Sequence, residues 1–197
     1  MNIELRRLLV TEATKAAITE LRKLAYSPKF GDRLRDEALM WNRHDDESFH
    51  FGAYSEQRLI STIRLTRVES AELFETIMQL SADAPFSTLP CWVLSRAATA
   101  PDYVGRSINM QLRSEAYRFI LTRNKTSAEA PPREKYVYGT ALKNSRRFVF
   151  LQSLGYEFQP GEQKWDGYIT ATPTEISTFR IAIEKLESAL LMIDPRR

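Results

Sequence analysis

The stretch that decides the fold is Cys91-Trp92-Val93-Leu94-Ser95-Arg96-Ala97-Ala98, followed by Thr99-Ala100-Pro101-Asp102-Tyr103-Val104-Gly105-Arg106-Ser107. Its first eight residues form an apolar run that ends in small and polar residues, the pattern of a buried central strand. The next nine carry Pro and Gly punctuation and read as a loop. Ile108, Leu112, Ala116, Phe119 and Ile120 then recur at helical spacing, and Tyr136–Thr140 reads as another strand. Strand, loop, helix and strand in that order form a crossover, which places a parallel pair at the centre of a sheet.

The flanking segments extend this unit. Upstream, Ile3–Leu9 reads as a strand, and Thr11 as the N-cap of a helix that carries Ala17, Leu21, Leu24 and Ala25 until Pro28 stops it. Ser48–Tyr54 and Arg58–Val68 alternate apolar and polar residues around the turn Ser55-Glu56-Gln57, a hairpin signature. A helix and loop fill Glu69–Pro90. Downstream, Leu142–Leu154 reads as a helix with Gly155 at its C′ position, and Tyr156–Gln159 and Trp165–Ile169 as short strands. Pro173 opens a last amphipathic helix, 173–193, whose Ile176, Phe179, Ile183, Leu186, Leu190 and Ile193 step by three and four. That stripe covers the domain's own core or, as the alternative, forms a homodimer seam. No internal repeat or linker interrupts residues 1–197, so one α/β domain is expected, with hairpins flanking the parallel pair and helices on both faces.

Composition narrows the function. The 197 residues are 43% hydrophobic and 27% charged, enough for a packed core. A chain of this length buries roughly 70% of its unfolded surface and needs no staple. One cysteine, Cys91, excludes an internal disulfide. With only His44 and His50 beside it, a structural metal site is not expected. No apolar run approaches 18 residues and Met1–Arg7 lacks an apolar leader core, so a cytoplasmic protein without a membrane segment is expected. A net charge of +3 permits an anionic ligand but is far from the basic excess of a nucleic-acid binder.

In open α/β sheets a ligand sits beyond the carboxyl end of the central strand, beside the next helix N-terminus. Here that end carries Ser95, Arg96, Ala97 and Ala98, and the helix opens at Gly105-Arg106-Ser107. Free amides and the helix dipole make that turn a candidate phosphate cradle, with Arg106 as an added donor. An ordinary loop fits the same spacing.

Residues 101–109, Pro-Asp-Tyr-Val-Gly-Arg-Ser-Ile-Asn, resemble the acyl-donor loop of the GNAT acyltransferase superfamily, Pro-x-Tyr-Arg-Gly-Lys-Gly-Ile-Gly. Asn144 to Tyr156, ending Phe-Leu-Gln-Ser-Leu-Gly-Tyr, is similar to its later Asn…Leu-Tyr-x-x-Leu-Gly-Phe segment. Four further matches in chain order resemble the branch of acyl-homoserine-lactone (autoinducer) synthases and N-acyl amino acid synthases. They are Leu21-Arg22-Lys23-Leu24-Ala25-Tyr26, Asp45-Asp46-Glu47-Ser48-Phe49-His50, Ile63-Arg64-Leu65 and Trp92-Val93-Leu94-Ser95-Arg96. Val93 stands where lactone synthases have Glu, which favours the acyl amino acid type. Val104, Ser107 and Asn109 replace the superfamily's loop Arg and two glycines, and Leu151 its thiolate-protonating Tyr.

The resemblance implies a mixed, mostly antiparallel sheet with a splayed parallel pair, and transfer of a long-chain acyl group from a thioester to the amine of an amino acid or related small molecule. The donor would be acyl-CoA or acyl-acyl carrier protein, the latter docking as a protein partner. Arg96, Ser95, Asp45 and Arg64 would be catalytic, and Arg22, Tyr26 and Asp46 would bind the acceptor. Ala97, Ala98, Val104, Gly105, Arg106 and Ser107 would bind the donor. Arg96 equally suits a structural ion pair, and Asp45 and Asp46 a solvated acidic loop. His50 reads as a hydrogen-bonded strand residue before a base, and Cys91 as packing. Arg106, Arg113, Arg118, Arg123 and Lys125 suit either carrier-protein docking or a solvated helix face. Two alternatives stay open: a small-group acetyltransferase using acetyl-CoA, and a catalytically silent domain that binds an acyl thioester or a protein partner.

Overall fold

The strand expected at the centre forms as β4, Cys91–Thr99, and every other element is placed by it. In the computed structural model, residues 2–31, 39–78, 87–126, 134–142, 146–160, 163–165 and 174–193 are described. Upstream lie β1 (Glu4–Leu8), α1 (Glu12–Phe30), the single turn α2 (Arg43–Asp46), β2 (Phe49–Ser55), β3 (Arg58–Val68) and α3 (Ala71–Met78). Downstream lie α4 (Ile108–Thr126), β5 (Tyr136–Leu142), α5 (Arg146–Ser153), β6 (Glu157–Phe158), β7 (Gln163–Trp165), β8 (Thr174–Ala182) and α6 (Leu186–Ile193). One sheet runs β1-β2-β3-β4-β5-β8-β6, with β7 also on β8. All described pairings are antiparallel except β4 with β5. This is the GNAT-like α/β sheet.

Local chemistry accounts for the elements. Thr11 caps α1 by accepting from the Thr14 amide at 3.2 Å. The β2–β3 turn sets Glu56 and Gln57 at φ 49° and 65°, the twist a tight hairpin requires. β3 is buried along nearly its whole length, so its alternation marks two covered faces and not a wet one. α5 ends in a Schellman arrangement: the amide of Tyr156 donates to Leu151 O at 3.2 Å and that of Gly155 to Gln152 O at 3.0 Å, with Gly155 at φ 85°.

Two expectations are corrected. Pro28 does not stop α1, which runs to Phe30 and closes with the Gly31 amide donating to Ser27 O. The 173–193 helix is also not one element: Thr174–Ala182 is a strand, and only Leu186–Ile193 is α-helical. Thr174, Ile176, Thr178 and Ile181 are β-branched and stiff at χ1, and β5 offers an open edge. β8 fills that edge in seven consecutive register pairs, Tyr136↔Ala182 to Leu142↔Ile176. The stripe of three and four is thus shared between a strand buried on both faces and a short helix. The expected helix 142–154 is α5, shorter at its start, with 143–145 outside the described residues, as are 166–169 of the expected strand Trp165–Ile169.

The sheet's two faces are covered differently. On one, Ile108, Leu112, Ala116, Tyr117 and Ile120 of α4 and Leu151 of α5 pack on Trp92, Leu94, Val137 and Phe179. On the other, Ile18, Leu21, Ala25 and Tyr26 of α1 pack on Ala98 and Ala100, while α3 covers Cys91, Val93 and Tyr138.

Candidate active site

The parallel pairing of β4 with β5 lasts three residues, Trp92↔Val137, Val93↔Tyr138 and Leu94↔Gly139. Both strands continue past it, β4 to Thr99 and β5 to Leu142, so they part beyond Leu94 and Gly139. On its other side β4 carries a bulge against β3. Arg64 faces Ser95 and Thr62 faces Ala98, leaving Arg96 and Ala97 opposite Ile63 alone. Arg96 takes φ 53°, a left-handed conformation that costs a non-glycine residue about 1 kcal/mol or more. Ala100 N donates to Ile60 O at 2.8 Å. Ala98 pairs with Thr62 of β3, while Ala97 lies inside the bulge, out of register with β3.

On the α1 side, next to this bulge, lies a buried ionic cluster. Asp45 Oδ1 and Oδ2 accept from Arg22 Nη2 and Nη1 at 2.7 and 2.9 Å, a bidentate fork. Oδ1 also accepts from Arg64 Nη1 at 3.1 Å, and Oδ2 from the Asn42 amide at 3.1 Å. Arg64 Nε donates to Ser95 Oγ at 3.1 Å. The Asn42 contact is half of a capping box: the Asn42 side chain caps α2 while Asp45, its N3 residue, reaches back. Arg22 and Asp45 are 0% exposed and Arg64 3%. Burial would raise the Asp45 carboxyl, but the hydrogen bonds and charge of Arg22 and the charges of Arg64 and Arg96 outweigh it and hold the group far below the usual carboxylate range. Burial lowers Arg64 to about 10, so it stays charged at neutral pH. Two arginines sharing one carboxylate leave the cluster cationic.

Tyr26 joins it from α1. Its hydroxyl donates to Ala97 O at 3.2 Å, and burial keeps the phenol protonated through neutral pH. His50 Nε2 donates to the Asp45 carbonyl at 2.8 Å and its ring lies 4.8 Å from that of Trp41. Burial lowers its pKa to about 4, so at neutral pH it is an uncharged strand residue. The Cys91 thiol is fully buried and pushed up to about 12.

The structure therefore gathers Arg22, Tyr26, Asp45, Arg64, Ser95, Arg96, Ala97 and Ala98 around one stretch of β4. It does not bring Asp46 there: its carboxylate is half exposed and pairs with Lys15 Nζ at 3.1 Å and Trp41 Nε1 at 2.9 Å. Asp45 is no solvated loop residue either, because its four contacts enclose it. Val104, Gly105, Arg106 and Ser107 stand beyond the end of β4, on an exposed turn that opens α4, with Val104 61% exposed. Gly105 at φ 85° and Ser107 at φ 58° hold the left-handed bends, and Ser107 O accepts from the amides of Met110 and Gln111. The Arg106 guanidinium lies 5.3 Å from the centroid of the Tyr103 ring.

Two features escaped the sequence reading. Asn42 completes the Asp45 clamp, and its Asn-x-x-Asp spacing was a legible cap signal. Arg113 is not on a docking face: it is 3% exposed, inside the layer of α4 and α5. Among the described residues, no group of His, Cys, Asp and Glu could hold a metal ion, and no helix is long and apolar enough to cross a membrane.

A parallel pair that parts, a bulged central strand and a loop leading into a helix N-terminus make up a GNAT-like fold, and solved structures share that fold. The chain is similar to FeeM, an N-acyl amino acid synthase from uncultured soil microbes, at 12% identity and TM-score 0.68, over 98% of this chain and 97% of that one. It is similar to BjaI, a CoA-dependent acyl-homoserine lactone synthase, at 14% identity and TM-score 0.64, over 98% and 90%. The ribosomal-protein-S18-alanine N-acetyltransferase of Escherichia coli aligns at 11% identity and TM-score 0.55, over 92% and 94%. No protein-family model and no curated protein sequence matches the chain.

Proposed function

We propose that this protein is an N-acyltransferase that moves an acyl group from a thioester to the amine of an amino acid or related small molecule. The observation that carries the reading is the gap between β4 and β5, with the Arg96–Ala97 bulge on its wall and the cationic Arg22–Asp45–Arg64 cluster behind it. The fold shared with FeeM, an N-acyl amino acid synthase, supports the amino acid acceptor.

In this reading the thioester carbonyl lies in the gap and its oxygen takes the main-chain amide of Ala97, with Ala98 holding the strand to β3. A fixed amide aimed at the developing oxyanion is the strongest single catalytic device for such a step. The neutral amine attacks the carbonyl carbon, the C–N bond forms, the C–S bond breaks, and the thiolate leaves. The proton lost by the nitrogen balances the thiolate. Arg96, on the bulge, and the cluster's excess positive charge attract the acceptor's carboxylate. Asp45 acts as the clamp that fixes Arg22 and Arg64, and Arg64 in turn fixes Ser95. It is not the base, because its oxygens are taken and its strongly lowered pKa makes it a poor proton acceptor. Tyr26 pins the bulge through Ala97 O. The turn at Val104–Ser107 receives the donor's phosphates, on coenzyme A or on the prosthetic arm of acyl carrier protein.

Lipid extraction of a bacterial host expressing the protein tests this. Amide-linked acyl amino acids, absent from cells carrying Arg96→Ala, are expected, and their masses name the acceptor. Identical extracts from the two strains would remove the assignment.

A further inference from the structure

Arg113 is a buried cation whose contacts are all neutral. In the second turn of α4, its Nη1 donates to Tyr117 Oη at 3.3 Å and Tyr156 Oη at 3.5 Å, both long. Its guanidinium carbon lies 5.5 Å from the Phe179 ring centroid and 6.0 Å from that of Tyr156, and its Nε is buried without a hydrogen bond. Among the described residues no carboxylate pairs with it. Ring faces and two stretched hydrogen bonds offset only part of the cost of burying a guanidinium, which is met in full when an anion joins it.

Its place connects it with the gap. Phe179 of β8 faces Gly139 so closely that a Cβ on Gly139 would lie 2.7 Å from the ring and 3.2 Å from Leu94 O. Leu94 and Gly139 are the last parallel pair, and Phe179 packs against Gly139 and lies beside the Arg113 guanidinium, so a single ring separates the point where the strands part from Arg113. The Arg22–Asp45–Arg64 cluster packs with α1. A thioester held in the gap would thus meet its acceptor on the α1 side and send its acyl chain toward Arg113.

We infer that Arg113, with the hydroxyls of Tyr117 and Tyr156, receives a carboxylate at the far end of the acyl group, so that the donor is the monothioester of a dicarboxylic acid and not a plain fatty acyl thioester. The inference rests on the N-acyltransferase reading and narrows its donor. A guanidinium fork and two phenols match a carboxylate's lone pairs, whereas a methyl end would leave the charge buried and unanswered.

The test compares glutaryl and adipoyl thioesters with hexanoyl and octanoyl thioesters, each on coenzyme A and on acyl carrier protein, with an amino acid and its decarboxylated amine as acceptors. Released thiol and product mass are followed. The wild-type protein is expected to favour the dicarboxylic donors by about a hundredfold in kcat/KM, and Arg113→Met to reverse the preference. Tyr156→Phe, which keeps the charge, should lower the preference about tenfold and serves if Arg113→Met does not fold. Transfer of uncharged chains only, or a preference unchanged in both variants, overturns the Arg113 assignment and leaves the N-acyltransferase reading standing. An effect of Arg113→Met that follows the acceptor's carboxylate overturns it too. Inertness toward every thioester overturns both readings.

Discussion

Arg22 and Asp45 are 23 positions apart in the chain, yet inside the protein both terminal nitrogens of the one meet both oxygens of the other, at 2.7 and 2.9 Å. The pair ties α1 to α2, and through Arg64 to β3 and Ser95 of β4. Four elements that share no local sequence are thereby fixed around one stretch of the central strand.

Removal of the clamp should be expensive. Asp45→Ala leaves two buried guanidinium groups uncompensated and removes the Asp45 half of the α2 capping box, and is expected to cost about 3–5 kcal/mol. Urea unfolding followed by tryptophan fluorescence measures it. A loss below about 1 kcal/mol, the level of an exposed pair, would contradict the cluster as described.

The pH dependence of stability has a defined sign. His50 has a folded pKa of about 4 against 6.5 for the unfolded chain, so below pH 6.5 the unfolded state binds the extra proton. Stability contributed by neutral His50 is full above pH 6.5, falls as pH drops, and is spent by pH 4, a change of about 3 kcal/mol. Asp45 works in the same direction at lower pH, with a depressed pKa and stability lost below the ordinary carboxylate range. Unfolding between pH 7.5 and 4 should show a steep decline in the wild type and a shallower one in His50→Gln. Parallel curves would exclude His50 as its source.

Gly139 is expected to tolerate no side chain. A Cβ there would sit 2.7 Å from the buried Phe179 ring and 3.2 Å from the Leu94 carbonyl, so Gly139→Ala should destabilise by about 1–3 kcal/mol and narrow the gap. Thermal unfolding with an acyl-transfer assay checks both effects. An unchanged melting temperature would show that Phe179 swings away freely.

Tyr26→Phe removes one buried hydrogen bond to Ala97 O and is expected to cost about 1 kcal/mol in stability. If that contact pins the bulge, kcat should fall about tenfold while KM for the donor changes little, as for an interaction realised in the transition state. A change in KM alone would place Tyr26 in ground-state binding only.

The central unit was legible because each of its parts obeys one period. Cys91–Ala98 is an apolar run, the helix from Ile108 steps by three and four, and Tyr136–Thr140 returns as a strand, as β4, α4 and β5 show. β8 was misread because Ile176, Phe179 and Ile183 satisfy helical spacing while both faces of the strand are buried, which erases alternation. The short motifs collected Arg22, Arg64, Ser95 and Arg96 but could not separate Asp45 from Asp46. Neighbours in sequence, they point opposite ways because α2 turns between them. Arg113 was hidden for another reason: an arginine on an amphipathic helix reads as surface, and only the fold shows it enclosed by Tyr117, Tyr156 and Phe179.

The most direct measurement of the central claim is acyl transfer by the purified protein. Acyl thioesters and a mixture of amino acids are supplied, free thiol is read by colorimetry and amide by mass spectrometry. The account predicts thiol and N-acyl product in equal amounts. It also predicts a loss of several orders of magnitude in Arg96→Ala, whose unfolding free energy stays within about 1–2 kcal/mol of wild type. Thiol released no faster than by water, with no amide formed, or equal rates in the two proteins, would contradict it.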